Sequence, residues 1–227
     1  RRSSDNTEQD IGFNVFGELD TVSLLAFAGT GDAFVKVWYC QSGNSNDATQ
    51  TVTGNQPQIV SSGAVIVENG KPAVQFDGSN DYFELTGFTV SASDYSLHAV
   101  TKNTATDTFL FDTESGRLVF DSRGGSTGVY FDGSWHGTSH TGTAQQLQSI
   151  YAISPNSGQS YVDGSQINTG LSYTQTAIGG QTSLGANFLG AKRILGVIQE
   201  FILYPSDQSA NRTNIETNIA TFYDITI

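Results

Sequence analysis

Methionine is absent from the 227 residues, and cysteine occurs once, at Cys40. A single cysteine excludes an internal disulfide, so the fold must be held by its apolar core. With no initiator methionine, the sequence opens on Arg1-Arg2-Ser3-Ser4, and we read it as a processed form or a piece of a longer polypeptide. Lysine and arginine total only 10 against 22 acids, a formal charge of −12. The cations are scattered apart from Arg1-Arg2 and Lys192-Arg193, so no basic patch is present to neutralise phosphates, and nucleic acid is excluded as a partner. No apolar run approaches the roughly 20 residues that cross a bilayer, so no helical membrane insertion is expected. Proline is scarce at 4 residues, and the three histidines, His98, His136 and His140, are too few for a transition-metal site.

What is present is glycine, 25 residues of it, with 14 phenylalanines and 9 tyrosines. That is the composition of many short strands joined by tight turns. Asp20 can cap a helix over 21–28, where Val22, Leu25 and Ala26 share a face and Gly29 stands just past the end. A strand over 34–39 follows, then an Asn/Gly-rich loop from Cys40 to Gln50. Three strand ends carry Asp-Gly, at Asp77-Gly78, Asp132-Gly133 and Asp163-Gly164. This dipeptide suits the positive φ of hairpin turns, so hairpins are expected over 73–85, 128–135 and 160–167.

Further strands are expected over 59–60, 64–67, 95–101, 108–112, 117–121 and 147–153. The run Gly196 to Tyr204, apolar on both faces apart from Gln199 and Glu200, reads as a strand buried between layers. Pro205 stops it, Ser206 or Ser209 can cap a last helix, and Ile215, Ile219, Phe222 and Tyr223 form that helix's apolar stripe. Closely spaced strands without a βαβ rhythm give an all-β fold. It is expected to be an antiparallel two-sheet jelly-roll sandwich with a short N-terminal helix and a C-terminal helix. We divide it into a lead-in over 1–56, packed on the sandwich, and the sandwich proper over 57–227, together one structural domain.

Two parts resemble known families. Lys71 to Tyr82, the Tyr161-Val162-Asp163-Gly164 hairpin and Gly196 to Tyr204 resemble the laminin-G-like, concanavalin A-like sandwich. Arg1-Arg2-Ser3-Ser4-Asp5-Asn6, Asp10-Ile11-Gly12-Phe13, Leu19-Asp20 and Trp38-Tyr39-Cys40-Gln41-Ser42-Gly43-Asn44 are similar to the start of the arabinofuranosidase B catalytic module. The same lead-in before a laminin-G-like sandwich resembles bacteriophage fibre and appendage proteins, as does the ending from Tyr204-Pro205-Ser206-Asp207. The hydrolase pattern usually has Asp where this chain has Cys40, and no residue here matches the hydrolase's catalytic glutamate. The resemblance therefore implies architecture without catalysis.

Candidate chemistry is sparse. A glycosidase needs two carboxylates facing across a sugar. Glu84, Glu114 and Glu200 are the ones that strands would fix, with Glu200 the sharpest and also the most easily structural. Asp77, Asn80 and Asp81 supply oxygens suited to Ca²⁺, or equally to local backbone bonds in a turn. Cys40 reads as a small buried residue. Tyr130, Trp135, His136 and His140 lie in a Gly/Ser/Thr-rich region and form the expected glycan-stacking patch, with a subunit contact or core packing as the other reading.

The expectation drawn from all this is a non-enzymatic virion-surface or extracellular module, possessing no catalytic residue and no required cofactor. Its expected partners are cell-surface glycans, other virion subunits and further copies of itself. A glycoside hydrolase acting on arabinose-containing polysaccharide and a secreted bacterial lectin-like adhesion module are the alternatives.

Overall fold

The computed structural model describes residues 1–91, 94–115, 119–123, 126–131, 134–137, 144–153, 157–171 and 177–227; between 119 and 137 only the strand backbone is described. The chain opens with one helix, α1 (Thr21–Ala28). Ten short strands follow: β1 (Ala33–Phe34), β2 (Val37–Trp38), β3 (Ala48–Thr49), β4 (Gln58–Ser61), β5 (Ala64–Val65), β6 (Val67–Glu68), β7 (Lys71–Pro72), β8 (Val74–Asp77), β9 (Phe83–Glu84) and β10 (Thr89–Val90). Longer ones come next: β11 (Tyr95–Asn103), β12 (Phe111–Ser115), β13 (Val119–Arg123), β14 (Ser126–Phe131), β15 (Ser134–Gly137), β16 (Gln146–Ala152), β17 (Gly158–Val162), β18 (Ser165–Leu171), β19 (Ile178–Leu184) and β20 (Leu195–Tyr204). The chain closes with α2 (Arg212–Tyr223).

These strands build two antiparallel sheets. The first runs β1-β4-β8-β20-β11-β16-β17-β18, with β5 beside β4. The second runs β15-β14-β13-β12-β19-β9-β3-β2, with β10 beside β19, and β6-β7 form a separate ribbon. Phe76, Leu97, Ile150 and Ile198 of the first sheet meet Phe83, Phe111 and Leu184 of the second in one core. A smaller cluster sits on the other side of the first sheet, where Ile219, Ala220 and Tyr223 of α2 cover Val100 and Leu147. Being covered on both sides is what lets β20 be apolar on both faces.

Helix α1 has the bounds read from the sequence. The Asp20 carboxylate accepts from the Ser23 backbone N–H (3.1 Å), and Gly29, at φ 65°, returns its N–H to Leu25 O (2.9 Å). Its buried face differs: Leu24, Phe27 and Ala28 are buried, whereas Val22 is 78% exposed. Both stripes are apolar in sequence, so only the position of the sheet edge selects between them. Replacing Asp20 by alanine is expected to cost about 1 kcal/mol, because losing the cap leaves the Ser23 N–H without its partner. Urea unfolding measures this, and Asp20→Asn, which keeps an acceptor, should restore most of it.

Three local readings are corrected. The strand over 34–39 is two strands: β1 pairs with β4 in the first sheet and β2 with β3 in the second. Residues 73–85 are not a hairpin. β8 and β9 lie in different sheets, joined by a turn in which Asp77 Oδ1 accepts from Ser79 N (2.8 Å) and Asn80 N (3.1 Å). Alternation along a strand carries no information on which sheet the strand joins. Helix α2 starts at Arg212 after Asn211, with no side-chain cap bond, instead of being capped by Ser206 or Ser209. The hairpin over 160–167 is present, with Val162 opposite Ser165 and Asp163 and Gly164 at φ 46° and 72°. Phe131 pairs with Ser134 as expected for the hairpin over 128–135; its turn residues, 132–133, lie outside the described residues.

Candidate functional site

In the second sheet, Phe111, Leu184 and Phe83 face each other across β12, β19 and β9 and point into the core. Side chains alternate along a strand, so the neighbouring row points the other way. That row is Asp112, Ser183 and Glu84. It puts two carboxylates on one face, one strand either side of a serine.

Strands in a sheet lie about 4.8 Å apart, so the Cα atoms of Glu84 and Asp112 are roughly 10 Å apart. Paired glycosidase carboxyls stand about 5–9.5 Å apart. Glu114 lies two residues beyond Asp112 on the same alternation, with Oε2 accepting from Gln181 N (3.1 Å).

The centre of the row is dry and its ends are wet. Asp112 and Ser183 are both 0% exposed, while Glu84 and Glu114 are exposed. Asp112 Oδ2 accepts from Phe188 N (3.2 Å), which fixes that carboxyl against the loop after β19. The Ser183 hydroxyl is buried and finds no hydrogen-bond partner. A buried hydroxyl without a partner costs about 1–3 kcal/mol, and here it lies between two acids. Tyr82 donates its phenol to Glu84 Oε1 (3.2 Å). Burial, and then the neighbouring Glu84 charge, push the Tyr82 phenol above its ordinary range, so it stays a donor. Its backbone carbonyl takes the Gln50 side-chain amide (2.9 Å), and the Arg193 guanidinium lies 5.7 Å from its ring centroid.

Of the three strand carboxylates singled out from sequence, the fold brings Glu84 and Glu114 onto this face and sends Glu200 elsewhere. Glu200 lies on β20 beneath α2, where Oε2 accepts from the Tyr223 hydroxyl (2.9 Å) and burial raises its pKa. That bond ties helix to sheet, the structural reading of Glu200. Asp112 and Ser183 were not singled out. The alternation Phe111-Asp112-Thr113-Glu114 does carry a signal for Asp112, polar at every second position; Ser183 carries none.

The expected glycan patch sits at the far edge of the same sheet. Tyr130 on β14 pairs with Trp135 on β15, and Val129 with His136. The side chains of Tyr130, Trp135 and His136, and the whole of His140, lie outside the described residues. Asp77, Asn80 and Asp81 are engaged locally. Asp81 Oδ2 accepts from Asp77 N (3.0 Å), and the Asn80 amide donates to Asn55 Oδ1 (3.2 Å). Burial, and then Asp77, push Asp81 up to about 6. Among the described residues no group of three or more His, Cys, Asp or Glu is placed to hold a metal ion.

No family model matches this sequence, and no curated protein matches it. Solved structures do. An α-L-arabinofuranosidase of family GH54, soaked with a cyclic sulfate inhibitor, matches with TM-score 0.70 at 16% identity over 95% of this chain. An arabinofuranosidase complexed with arabinofuranosyl-α-1,2-xylobiose matches with TM-score 0.66 at 18% identity, also over 95% of this chain. The Trypanosoma rangeli sialidase in complex with the inhibitor DANA matches with TM-score 0.54 at 13% identity, over 84% of this chain and 31% of its own. The chain spans 57% of each arabinofuranosidase, a little over half their length. At these identities the likeness establishes the fold, the antiparallel sandwich expected from sequence. It also corrects an expectation. Sequence alone points to a non-enzymatic module; the arabinofuranosidases that match along 95% of this chain are glycoside hydrolases, and the non-enzymatic expectation does not stand.

Proposed function

We propose that this chain is a carbohydrate-active sandwich of glycoside-hydrolase type, and that its glycan lies on the outer face of the second sheet at the exposed end of the row, against Glu84. The observation that carries the reading is the row Glu84–Ser183–Asp112: two carboxylates flanking a buried hydroxyl that lacks a partner. Glycosidic-bond hydrolysis needs such an acid and base; Glu84 is the one of the two that meets solvent, and Asp112 lies 0% exposed behind it. A sugar hydroxyl beside Glu84 would donate to its carboxylate or to the Tyr82 phenol oxygen, whose own proton goes to Glu84. The chain-wide likeness to arabinofuranosidases supports the chemistry class and leaves the sugar unassigned. The setting we propose is extracellular, on a particle or cell surface; the acidic composition and the resemblance to appendage proteins support it.

The test is turnover of a panel of 4-nitrophenyl glycosides, including the α-L-arabinofuranoside, by the chain and by Glu84→Gln and Asp112→Asn. At least one glycoside should be hydrolysed. Glu84→Gln, at an exposed position, should lower kcat/KM by about 100-fold or more with an unchanged melting curve. Absence of both turnover and glycan binding, or a Glu84→Gln variant as active as the parent, overturns the reading.

A further inference from the structure

The exposed end of the row has a cation beside it. Arg193 closes the loop after β19 and directly precedes Ile194, which is 0% exposed in the core, so its backbone is anchored. Its guanidinium carbon lies over the Tyr82 ring, 5.7 Å from the centroid, within cation–π range. Tyr82 in turn donates its phenol to Glu84 Oε1 (3.2 Å). One ring therefore contacts both the cation and the acid.

The ring is held in place. Gly190 packs against it: a Cβ there would stand 3.0 Å from Tyr82 Cζ and 3.2 Å from its hydroxyl oxygen. The loop that carries Gly190 is fixed by Asn187, whose Oδ1 accepts from Leu189 N (3.2 Å) and Ala191 N (2.7 Å). Asp112 fixes the same loop through Phe188 N (3.2 Å). The buried acid of the row thus braces the wall beside the exposed one.

What the guanidinium lacks is a partner. Among the described residues it makes no hydrogen bond and no ion pair. Its neighbour Lys192 is matched by Asp107. Asp81 acts on it only across space: that carboxyl is 7% exposed, and its Oδ2 accepts from Asp77 N (3.0 Å). Arg193 is half-buried with Nε enclosed, so its Nη groups are the part that meets solvent. A charged donor without an acceptor is costly, and a planar guanidinium fork matches a planar carboxylate through two parallel N–H···O bonds. We propose that Arg193 receives a carboxylate of the substrate, so that the glycan at this site is a uronic acid glycoside with its linkage at Glu84. The inference rests on the reading of Glu84 as the solvent-facing acid of a glycan site. A substrate with a single uronate is favoured over a polyuronate, because the chain's formal charge of −12 repels polyanions.

Turnover of 4-nitrophenyl glucuronides and galacturonides against the matching glucosides and galactosides, with calorimetric binding of free glucuronate and galacturonate, tests it on the parent chain, Arg193→Gln, Arg193→Lys and Glu84→Gln. In the parent, a uronide should be turned over with kcat/KM at least about tenfold above its neutral counterpart, a comparison that needs no variant to fold. Arg193→Gln should bring that ratio to about one, and Arg193→Lys, which keeps the charge and loses the fork, should retain part of it. Glu84→Gln should lower turnover of both. If glycosides are turned over and Glu84→Gln lowers it, but the neutral counterparts or the α-L-arabinofuranoside are preferred, or Arg193→Gln leaves the uronide ratio as in the parent, the uronate class is overturned and the reading of Glu84 stands. If sulfate or acetate competes with a uronide as well as free glucuronate does, the site takes any small anion, and the sugar carboxylate is overturned. If the parent neither turns over nor binds any of these sugars, both readings fall together.

Discussion

Replacing Gly196 by alanine is expected to prevent β20 from closing against β11. A Cβ at this position would stand 1.8 Å from Lys102 O and 3.1 Å from Asn103 Cα. Both are backbone atoms of the neighbouring strand, so no side-chain rotation relieves the overlap. β20 lies between β8 and β11 in the middle of the first sheet and carries Ile198 into the core. Opening that seam disturbs the sheet on both sides. We expect a loss above about 4 kcal/mol, the range reserved for a broken core, out of a total of about 5–15 kcal/mol for a folded domain. The variant should therefore be insoluble or melt at least about 8 °C lower. Gly54→Ala is the control, since nothing lies within 4 Å of the added Cβ there. A soluble Gly196→Ala protein melting within a few degrees of the parent would show that the two strands are not in this register.

The second large effect is set by pH. His98 on β11 is 0% exposed beneath α2, with Nδ1 3.0 Å from Ser149 Oγ and Nε2 without a partner. Tyr151 and Tyr204 close on its ring edge-on, at 5.6 and 6.0 Å. Helix α2 brings Glu216, whose carboxylate takes the Tyr151 hydroxyl (3.3 Å) and the Arg212 guanidinium (2.7 Å), so that charge is already matched. Burial lowers the pKa of His98 from 6.5 to about 4. In the unfolded chain the imidazole takes its proton first as pH falls. This group therefore has no effect above about pH 6.5 and destabilises progressively between 6.5 and 4, by roughly 3 kcal/mol in all.

Asp81 acts in the opposite sense. Its pKa is raised from 3.8 to about 6, so the folded state binds the proton first, and stability is gained over that interval. The parent's acid limb sums these two opposed contributions with those of Asp5 and Asp20, whose lowered pKa values make them destabilising as pH falls, and of Glu200, whose raised pKa acts as that of Asp81 does. In urea unfolding at pH 7 and pH 4, His98→Gln should gain roughly 2–3 kcal/mol on the parent as pH drops, whereas Asp81→Asn should lose ground. Parallel acid limbs in the parent and His98→Gln would mean that the imidazole is not the buried group described here.

Much of the local structure was legible because it is written in local chemistry. Asp20 and Gly29 bracket α1 by capping groups a few residues away. Asp163-Gly164 has the positive φ values its hairpin needs. The apolar run of β20 announces a strand covered on both faces, and the structure supplies both covers, the core and α2. Where reading failed, the missing information was not local. Phe34 and Val37 belong to one stretch that is apolar except at Lys36, yet the chain changes sheet between them. Asp77-Gly78 has the same dipeptide as the hairpin at 163–164 and instead carries the chain from β8 to the other sheet.

By itself the sequence determined the class of this protein: strands from its β-branched and aromatic residues, turns from Asp-Gly, an acidic surface from 22 carboxylates against 10 cations. It also marked Glu84 and Glu114 as acids that strands would hold. Only the tertiary structure decided that Glu84, Ser183 and Asp112 are neighbours. Strand register is set by the summed burial of a whole sheet face, and a slip of one residue would turn each of these side chains inward. Residues 84, 112 and 183 are far apart along the chain, and only pairing across β9, β19 and β12 brings two carboxylates to either side of one hydroxyl.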